Sequence, residues 1–479
     1  MPAQTDPDPA AGNDTGKLLT DAAERARRYL TSLDDRPVAP GRAAVAALAA
    51  FDEPLPDEPG DPAATLALLD EAGSPATVAS TGGRYFGFVT GGALPVAVAA
   101  KWLATAWDQN AALPVMSPVA AKLHDVVNGW LTGLLGLPEG TATIFVTGAA
   151  MANTAALTAA RDHQLARAGW DVQAEGLFGA PGLTVVIGEQ AHATLVRALG
   201  FIGLGRSRVV RVPVDDQGRM RADLLPRDVS GPAVICAQAG EVNTGAFDLF
   251  PRIVSWARER GAWVHVDGAF GLWAAADPSR AHLTAGLSDA DSWAADAHKW
   301  LNVPYDCGIC LVRRPEDLRR SFAASGGYLP PDAGFEAFHH TPQSSQRPRQ
   351  VEVWAVLRTL GRRGVADLVA RSCRHAQMLA ARLRQDGLEV LNDVVLNQVL
   401  VRAGTDEQTI AMVDAVQQDG TCWCGPTQWH GGPAMRISVS GWATTDEDID
   451  RSAAAIIAAA QGVSRRRPGR RRRVPRSHV

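Results

Sequence analysis

Trp263-Val264-His265-Val266-Asp267-Gly268-Ala269-Phe270 is a short apolar run that stops on a carboxylate. Further along, Asp296-Ala297-His298-Lys299-Trp300 sets a lysine beside a histidine just after a second apolar run, Ser292 to Ala295. Both runs read as buried strands. In an open parallel sheet, ligands bind beyond the carboxyl ends of the strands. An acid and an amine at two neighbouring strand ends therefore face one ligand.

That pairing of groups restricts the ligand. A lysine amine forms a Schiff base with an aldehyde. A carboxylate is needed where a pyridinium nitrogen must stay protonated so that its ring can draw electrons. Pyridoxal phosphate meets both demands. A single Asp or Lys is more often a turn cap or a surface side chain, but here the two occur together and a third signal lies upstream.

Working outward, short apolar runs recur at Ala142–Val146, Leu183–Ile187, Val209–Val212, Ala233–Cys236, Trp263–Val266, Ser292–Ala295 and Gly308–Val312. Helical stretches at Met151–Ala168, Ala191–Leu199 and Phe250–Arg260 separate several of them. This alternation predicts an α/β domain with a mostly parallel sheet. Beyond it, Gln350–Leu360 and Val365–Gln385 read as helices broken at Gly361-Arg362-Arg363-Gly364. Strand-like runs at Glu389–Val395, Gln398–Val401 and Ala434–Val439, with a helix around Glu407–Gln418, predict a small α+β C-terminal domain. Thr444-Thr445-Asp446-Glu447 has capping-box spacing ahead of an Ala-rich final helix.

Val266-Asp267-Gly268-Ala269 and Asp296-Ala297-His298-Lys299-Trp300 resemble the signature of the group II pyridoxal-phosphate-dependent amino-acid decarboxylases, which include the aromatic amino-acid and glutamate decarboxylases. The likeness runs from about Tyr85 to the Thr444–Asp448 segment. It implies the aspartate-aminotransferase-type fold (fold type I), in which the seven runs form the large domain, and it implies a homodimer.

The resemblance also implies roles for particular residues. Lys299 carries the cofactor aldehyde and Asp267 answers the ring nitrogen. His192, in Gly188-Glu189-Gln190-Ala191-His192, stacks on one ring face and Ala269 packs on the other. The small-residue turn Thr147-Gly148-Ala149-Ala150 receives the phosphate with a helix N-terminus behind it. His298 contacts the phosphate as well. Relatives usually have serine where Ala150 stands. Asn243 and Thr244 belong to the segment between the His and Asp motifs, where Glu241 replaces a usual threonine; a carboxylate there would repel an acidic substrate or serve a cationic one.

Thr341 to Trp354, with Ser345, resembles a segment that lies near the active site at the dimer interface of relatives. Relatives carry a mobile loop before it, bearing a tyrosine that reprotonates the carbanion left by CO2 loss. Between Tyr328-Leu329 and Ser345 this chain has no further tyrosine and offers Phe338, His339 and His340. A histidine such as His340 can donate a proton near neutrality; without a donor, the carbanion meets oxygen and an aldehyde results. Arg84-Tyr85-Phe86-Gly87-Phe88 matches an aromatic stretch near the substrate side chain, with core packing of Tyr85 and Phe86 as the equal alternative. Arg436 is a possible carboxylate ligand.

Composition sets outer limits. A chain of 479 residues with 46% apolar and 20% charged residues can bury a sizeable core. Of its charges, eight arginines lie between Arg465 and Arg476, so a net −4 leaves −12 over residues 1–464. Six cysteines make no disulfide scaffold, and neither Cys307/Cys310 nor Cys422/Cys424 has a second ligand pair at metal-like spacing. The N-terminus has no basic start or apolar core of a signal peptide, and Phe88–Ala106 is too interrupted to span a membrane, which points to a cytoplasmic protein.

The expected organisation is a disordered stretch over residues 1–16 and a helical arm over 17–80 that packs on a dimer partner. A cofactor domain follows over 81–345, then connecting helices and the small domain over 346–463, and a basic tail over 464–479. The expected activity is decarboxylation of an amino acid. Transamination or decarboxylation-linked oxidative deamination is the alternative, and nucleic-acid binding through the arginine tail is a rival from another class.

Overall fold

The computed structural model describes residues 9–324 and 335–465. The arginine tail beyond Arg465 and Tyr328-Leu329 lie outside the described residues.

Seven strands form the large sheet: β1 (Ala142–Val146), β2 (Thr184–Gly188), β3 (Val210–Val212), β4 (Ala233–Gln238), β5 (Trp263–Asp267), β6 (Ser292–Asp296) and β7 (Gly308–Val312). Their order is β1-β7-β6-β5-β4-β2-β3, with β7 antiparallel to both neighbours and the other pairings parallel. β1, β4, β5, β6 and β7 are buried along their whole length, because helices cover both faces. That explains their unbroken apolar runs. Helix Ala149–Arg167 packs on one face, against residues of β1, β2, β4 and β7. Phe250, Ile253 and Val254 of helix Phe250–Arg260 pack on the other.

The small sheet holds β8 (Glu389–Val390), β9 (Gln398–Arg402), β10 (Gly425–Trp429) and β11 (Gly432–Ser438), antiparallel throughout in the order β10-β11-β9-β8. β10 is absent from the sequence-based expectation because Gly425-Pro426-Thr427-Gln428 carries no apolar alternation; its pairing with β11 makes it a strand. The two expected helices after Gln350 form one run to Gln385, bent where Gly361 has φ 60°. Its first half packs into the large core and its second into the small one, so it joins the two domains.

The capping box of the last helix lies one residue later than its spacing suggested. Thr445 Oγ1 accepts from Asp448 N at 3.1 Å, and Asp448 Oδ2 accepts from Thr445 N at 3.0 Å. At the other end, helix Pro9–Thr31 begins inside the stretch expected to lack structure. The arm touches its own small domain, where Val38 N donates to Gly420 O at 2.9 Å.

Candidate active site

The carboxyl ends of β1, β2, β5 and β6 and the first residue of antiparallel β7 share one edge of the large sheet. Every motif residue of interest leaves from that edge. β5 stops on Asp267, which is 6% exposed. Its Oδ2 accepts from Asn153 Nδ2 at 3.1 Å, while Oδ1 has only a 3.3 Å contact from Ala269 N. Ala269 is partly exposed beside it.

β6 stops on Asp296, a buried carboxylate that ties three parts of the site together. Oδ1 accepts from Ala149 N at 2.6 Å, which caps the helix that starts there. Oδ2 lies 2.9 Å from Lys299 Nζ, and His298 Nε2 is 3.5 Å from Oδ1. His298 Nδ1 accepts from Cys307 N at 3.1 Å, so the ring proton sits on Nε2 and faces Asp296. The Tyr305 ring covers the imidazole with centroids 4.3 Å apart.

The small-residue turn is shaped from below. A Cβ on Gly308, the first residue of β7, would lie 2.4 Å from Gly148 Cα, so only glycine lets the two strands' ends meet there. Thr147 is exposed at the turn and Ala149 is buried behind it.

His192 serves two sides at once. Its Nδ1 is 2.7 Å from Thr194 Oγ1 and 3.3 Å from Thr194 N, which makes it the N-cap of helix Ala193–Phe201. Its ring also lies in the field of the sheet edge. Burial holds its pKa below the ordinary histidine value; Lys299 and Arg436 push the same way, and Asp267 and Asp296 oppose them. The same imidazole therefore senses the acid, the amine and a small-domain cation on β11.

Other expected site residues have different duties. The Glu241 carboxylate is consumed by its own loop, accepting from Asn243 N at 2.7 Å, Thr244 N at 2.8 Å, Asn243 Nδ2 at 3.2 Å and Thr244 Oγ1 at 3.2 Å. It is 1% exposed, and burial raises its pKa against those donors and Arg436. Asn243 Oδ1 accepts from Thr427 Oγ1 at 2.7 Å and Thr244 O from Asn392 Nδ2 at 3.0 Å, so this loop clasps the small domain. Phe86 is fully buried in the small-domain core, and Tyr85 stacks on Trp423 at 5.2 Å with its phenol pushed up to about 12 by burial. Both are packing residues, and the aromatic of this stretch that faces outward is Phe88, 64% exposed.

Ser345 is exposed and accepts from Asn110 Nδ2 at 3.3 Å. His340 is buried under Phe335 at 4.3 Å and bonds Glu336 O at 2.7 Å. Burial lowers its pKa.

Sequence reasoning missed Asp296, Asn153 and Ser292 as working parts. Asp296 stood inside the quoted lysine motif, so its charge was a usable signal. Asn153 and Ser292 carry none in sequence.

The pyridoxal-dependent decarboxylase conserved domain matches residues 77–403. The chain belongs to that family. It is a pyridoxal-phosphate-dependent amino-acid decarboxylase, a carboxy-lyase. An aromatic-L-amino-acid decarboxylase from Bacillus atrophaeus is 24% identical over 441 residues, covering 86% of this chain and 88% of that one. The acidic amino acid decarboxylase GADL1 from Bos taurus is 26% identical over 322 residues, 64% of this chain and 61% of that one. A crystal structure of Oryza sativa TDC with PLP and tryptamine matches with a TM-score of 0.88 at 21% identity, covering 96% of this chain and 99% of that one. At that identity the likeness speaks for the fold.

The decarboxylase's donor set fits pyridoxal phosphate. Lys299 offers an amine and Asp267 an oxygen with one weak partner, and the exposed Thr147 and part-exposed Gly148 stand at a helix start whose Ala149 amide is already taken by Asp296. Among the described residues no helix is long and apolar enough to cross a membrane.

Proposed function

We propose that this decarboxylase converts an L-amino acid to its amine and CO2, with Lys299 as the amine that binds the cofactor aldehyde and Asp267 as the group that holds a proton at the ring nitrogen. When bound, pyridoxal phosphate supplies an electron sink for the pair left by the departing carboxylate. Lys299 Nζ, 2.9 Å from Asp296 Oδ2, is held at the sheet edge. His192 and Ala269 cover opposite faces of the ring. Thr147, Gly148 and His298 hold the phosphate, Ala149 lying behind them with its amide on Asp296, and Asn243 and Thr244 shape the wall beside it rather than binding directly.

The reading rests on one observation above all: neighbouring parallel strands β5 and β6 end on Asp267 and Asp296 at one edge, and Lys299 Nζ is held there 2.9 Å from Asp296 Oδ2. For the substrate, Arg436 supplies a cation that a carboxylate of the amino acid meets. Sequestration of Glu241 within its loop removes the reason to exclude acidic substrates.

Two features support a homodimer. Trp102, Leu103 and Trp107 on helix Pro95–Trp107 and Val115 and Met116 after it are 42–73% exposed, a large apolar area for a lone protomer. Ser345 is exposed beside Asn110, consistent with a role completed by a second copy. A cytoplasmic location accords with six reduced, buried cysteines.

A second reading, release of an aldehyde, is favoured by the burial of His339 and His340 and by the lack of a further tyrosine between Tyr328-Leu329 and Ser345. The test is a panel of aromatic, acidic and basic amino acids, scored for CO2, amine, aldehyde and peroxide, with borohydride trapping of the cofactor and mapping of the adduct. Amine with CO2 and an adduct on Lys299 is the expected result. Aldehyde with peroxide selects the second reading, and no CO2 with no adduct refutes both.

A further inference from the structure

Five buried groups inside the large sheet form one uninterrupted hydrogen-bond chain that ends on Asp267. Trp263 Nε1 donates to Ser292 Oγ at 2.8 Å, and Ser292 Oγ is 2.9 Å from His265 Nδ1. His265 Nε2 is 2.9 Å from Asn153 Oδ1, and Asn153 Nδ2 donates to Asp267 Oδ2 at 3.1 Å. Trp263 is 1% exposed, and Ser292, His265 and Asn153 are fully buried, so water does not compete with any link.

The two ends decide the direction of every proton between them. An indole N–H only donates and an ionised carboxylate only accepts, whereas a hydroxyl, a neutral imidazole and a primary amide can each do both. Starting from Trp263, Ser292 Oγ accepts and gives its own proton to His265 Nδ1. His265 then carries its proton on Nε2 and gives it to Asn153 Oδ1, which leaves the Asn153 amide nitrogen for Asp267. Burial pushes the His265 pKa down to about 3, so the ring stays neutral and one of its nitrogens remains an acceptor.

The reverse sense is unfavourable: Ser292 Oγ would receive protons from both Trp263 and His265, and its own proton would have neither of those partners as an acceptor. The remaining groups that feel Asp267, His192 and the buried Cys236 thiol, take no part in the chain.

We propose that Trp263, Ser292, His265 and Asn153 are positioning residues whose one-way hydrogen-bond chain holds Asp267 Oδ2 as an acceptor and leaves its Oδ1 for the cofactor's ring nitrogen. The proposal rests on the reading of Asp267 given above, and it extends that site through the sheet, from the edge that bears the chemistry to the opposite end of β5.

The test uses the holoenzyme and its Asn153→Leu, Ser292→Ala and Ser292→Thr variants, loaded with pyridoxal phosphate labelled with 15N in the ring. Ring-nitrogen chemical shift against pH and cofactor Kd are read alongside Tm. In the wild type the ring nitrogen stays protonated across the accessible range. Asn153→Leu lowers its apparent pKa by about one unit and weakens cofactor binding about tenfold. Ser292→Ala shifts both in the same direction by less, and Ser292→Thr, which keeps the hydroxyl, restores them to within about twofold. Should Tm fall in Asn153→Leu and Ser292→Ala while ring protonation and Kd stay at wild-type values, the chain serves packing alone and the proposal is overturned. If Asn153→Leu does not fold, Ser292→Ala against Ser292→Thr decides. A wild-type holoenzyme whose ring nitrogen is unprotonated, or whose cofactor is not attached at Lys299, overturns the reading of Asp267 itself.

Discussion

Glu241 and Asp267 are buried carboxylates at the ends of neighbouring strands β4 and β5, yet they do opposite things. Glu241 spends both oxygens on four donors from its own loop, which fixes the turn and through it the grip on the small domain. Asp267 is supported from within the sheet through Oδ2 and keeps Oδ1 almost uncommitted. Burial and charge are shared, so neither marks a site. What separates them is whether the protein's own donors exhaust the carboxylate.

The comparison breaks most sharply at the amine Asp267 works with. Lys299→Ala should lower CO2 release by roughly a thousandfold or more and abolish the borohydride-trapped adduct, because the nucleophile itself is gone. An adduct that persists on another lysine would move the site. Asp267→Asn keeps the shape and removes the charge; CO2 release should fall about a hundredfold while Tm changes little. Gly308→Ala drives a methyl into Gly148, so it should cost about 1–3 kcal/mol of stability and weaken binding of the cofactor phosphate.

Glu241→Gln supplies the contrast. It turns an acceptor with four donors into a group that must donate, costing about 1–3 kcal/mol in chemical denaturation, with CO2 release within about threefold of wild type. If Glu241→Gln instead matches Asp267→Asn in activity, the two carboxylates have the same duty and the distinction fails.

The remaining test is a pH slope. His265 has a folded pKa of about 3 against an ordinary 6.5, so between these values the unfolded chain binds more protons than the folded one. Stability therefore rises with pH in that window: this contribution is fully present above about 6.5 and is lost as pH falls towards 3. His265→Gln should flatten that part of the stability curve, measured by urea unfolding at a series of pH values. An unchanged slope would locate the acid sensitivity elsewhere.

Much of this molecule was legible in order along the chain. All seven strands of the large sheet announced themselves as short runs, most clearly the five buried along their whole length, whereas edge strand β3 carries the exposed Arg211. Asp267, Lys299 and His192 were visible as polar residues at the ends of those runs. β10 was not, because its residues alternate weakly and only pairing with β11 orders them. Phe86 and His340 read as site residues from their neighbours in sequence, but packing turns them into the core and onto Phe335.

The amino-acid order by itself determined the α/β architecture and the strand ends at or just beyond which Asp267 and Lys299 sit, because strand ends and hydrophobic periodicity are local properties. Only the tertiary structure decided which polar groups remain available there. Asn153 and Asp267 are 114 positions apart. Whether a carboxylate is spent or free depends on donors brought to it from such distances, and hydrogen-bond satisfaction is a property of space rather than of sequence.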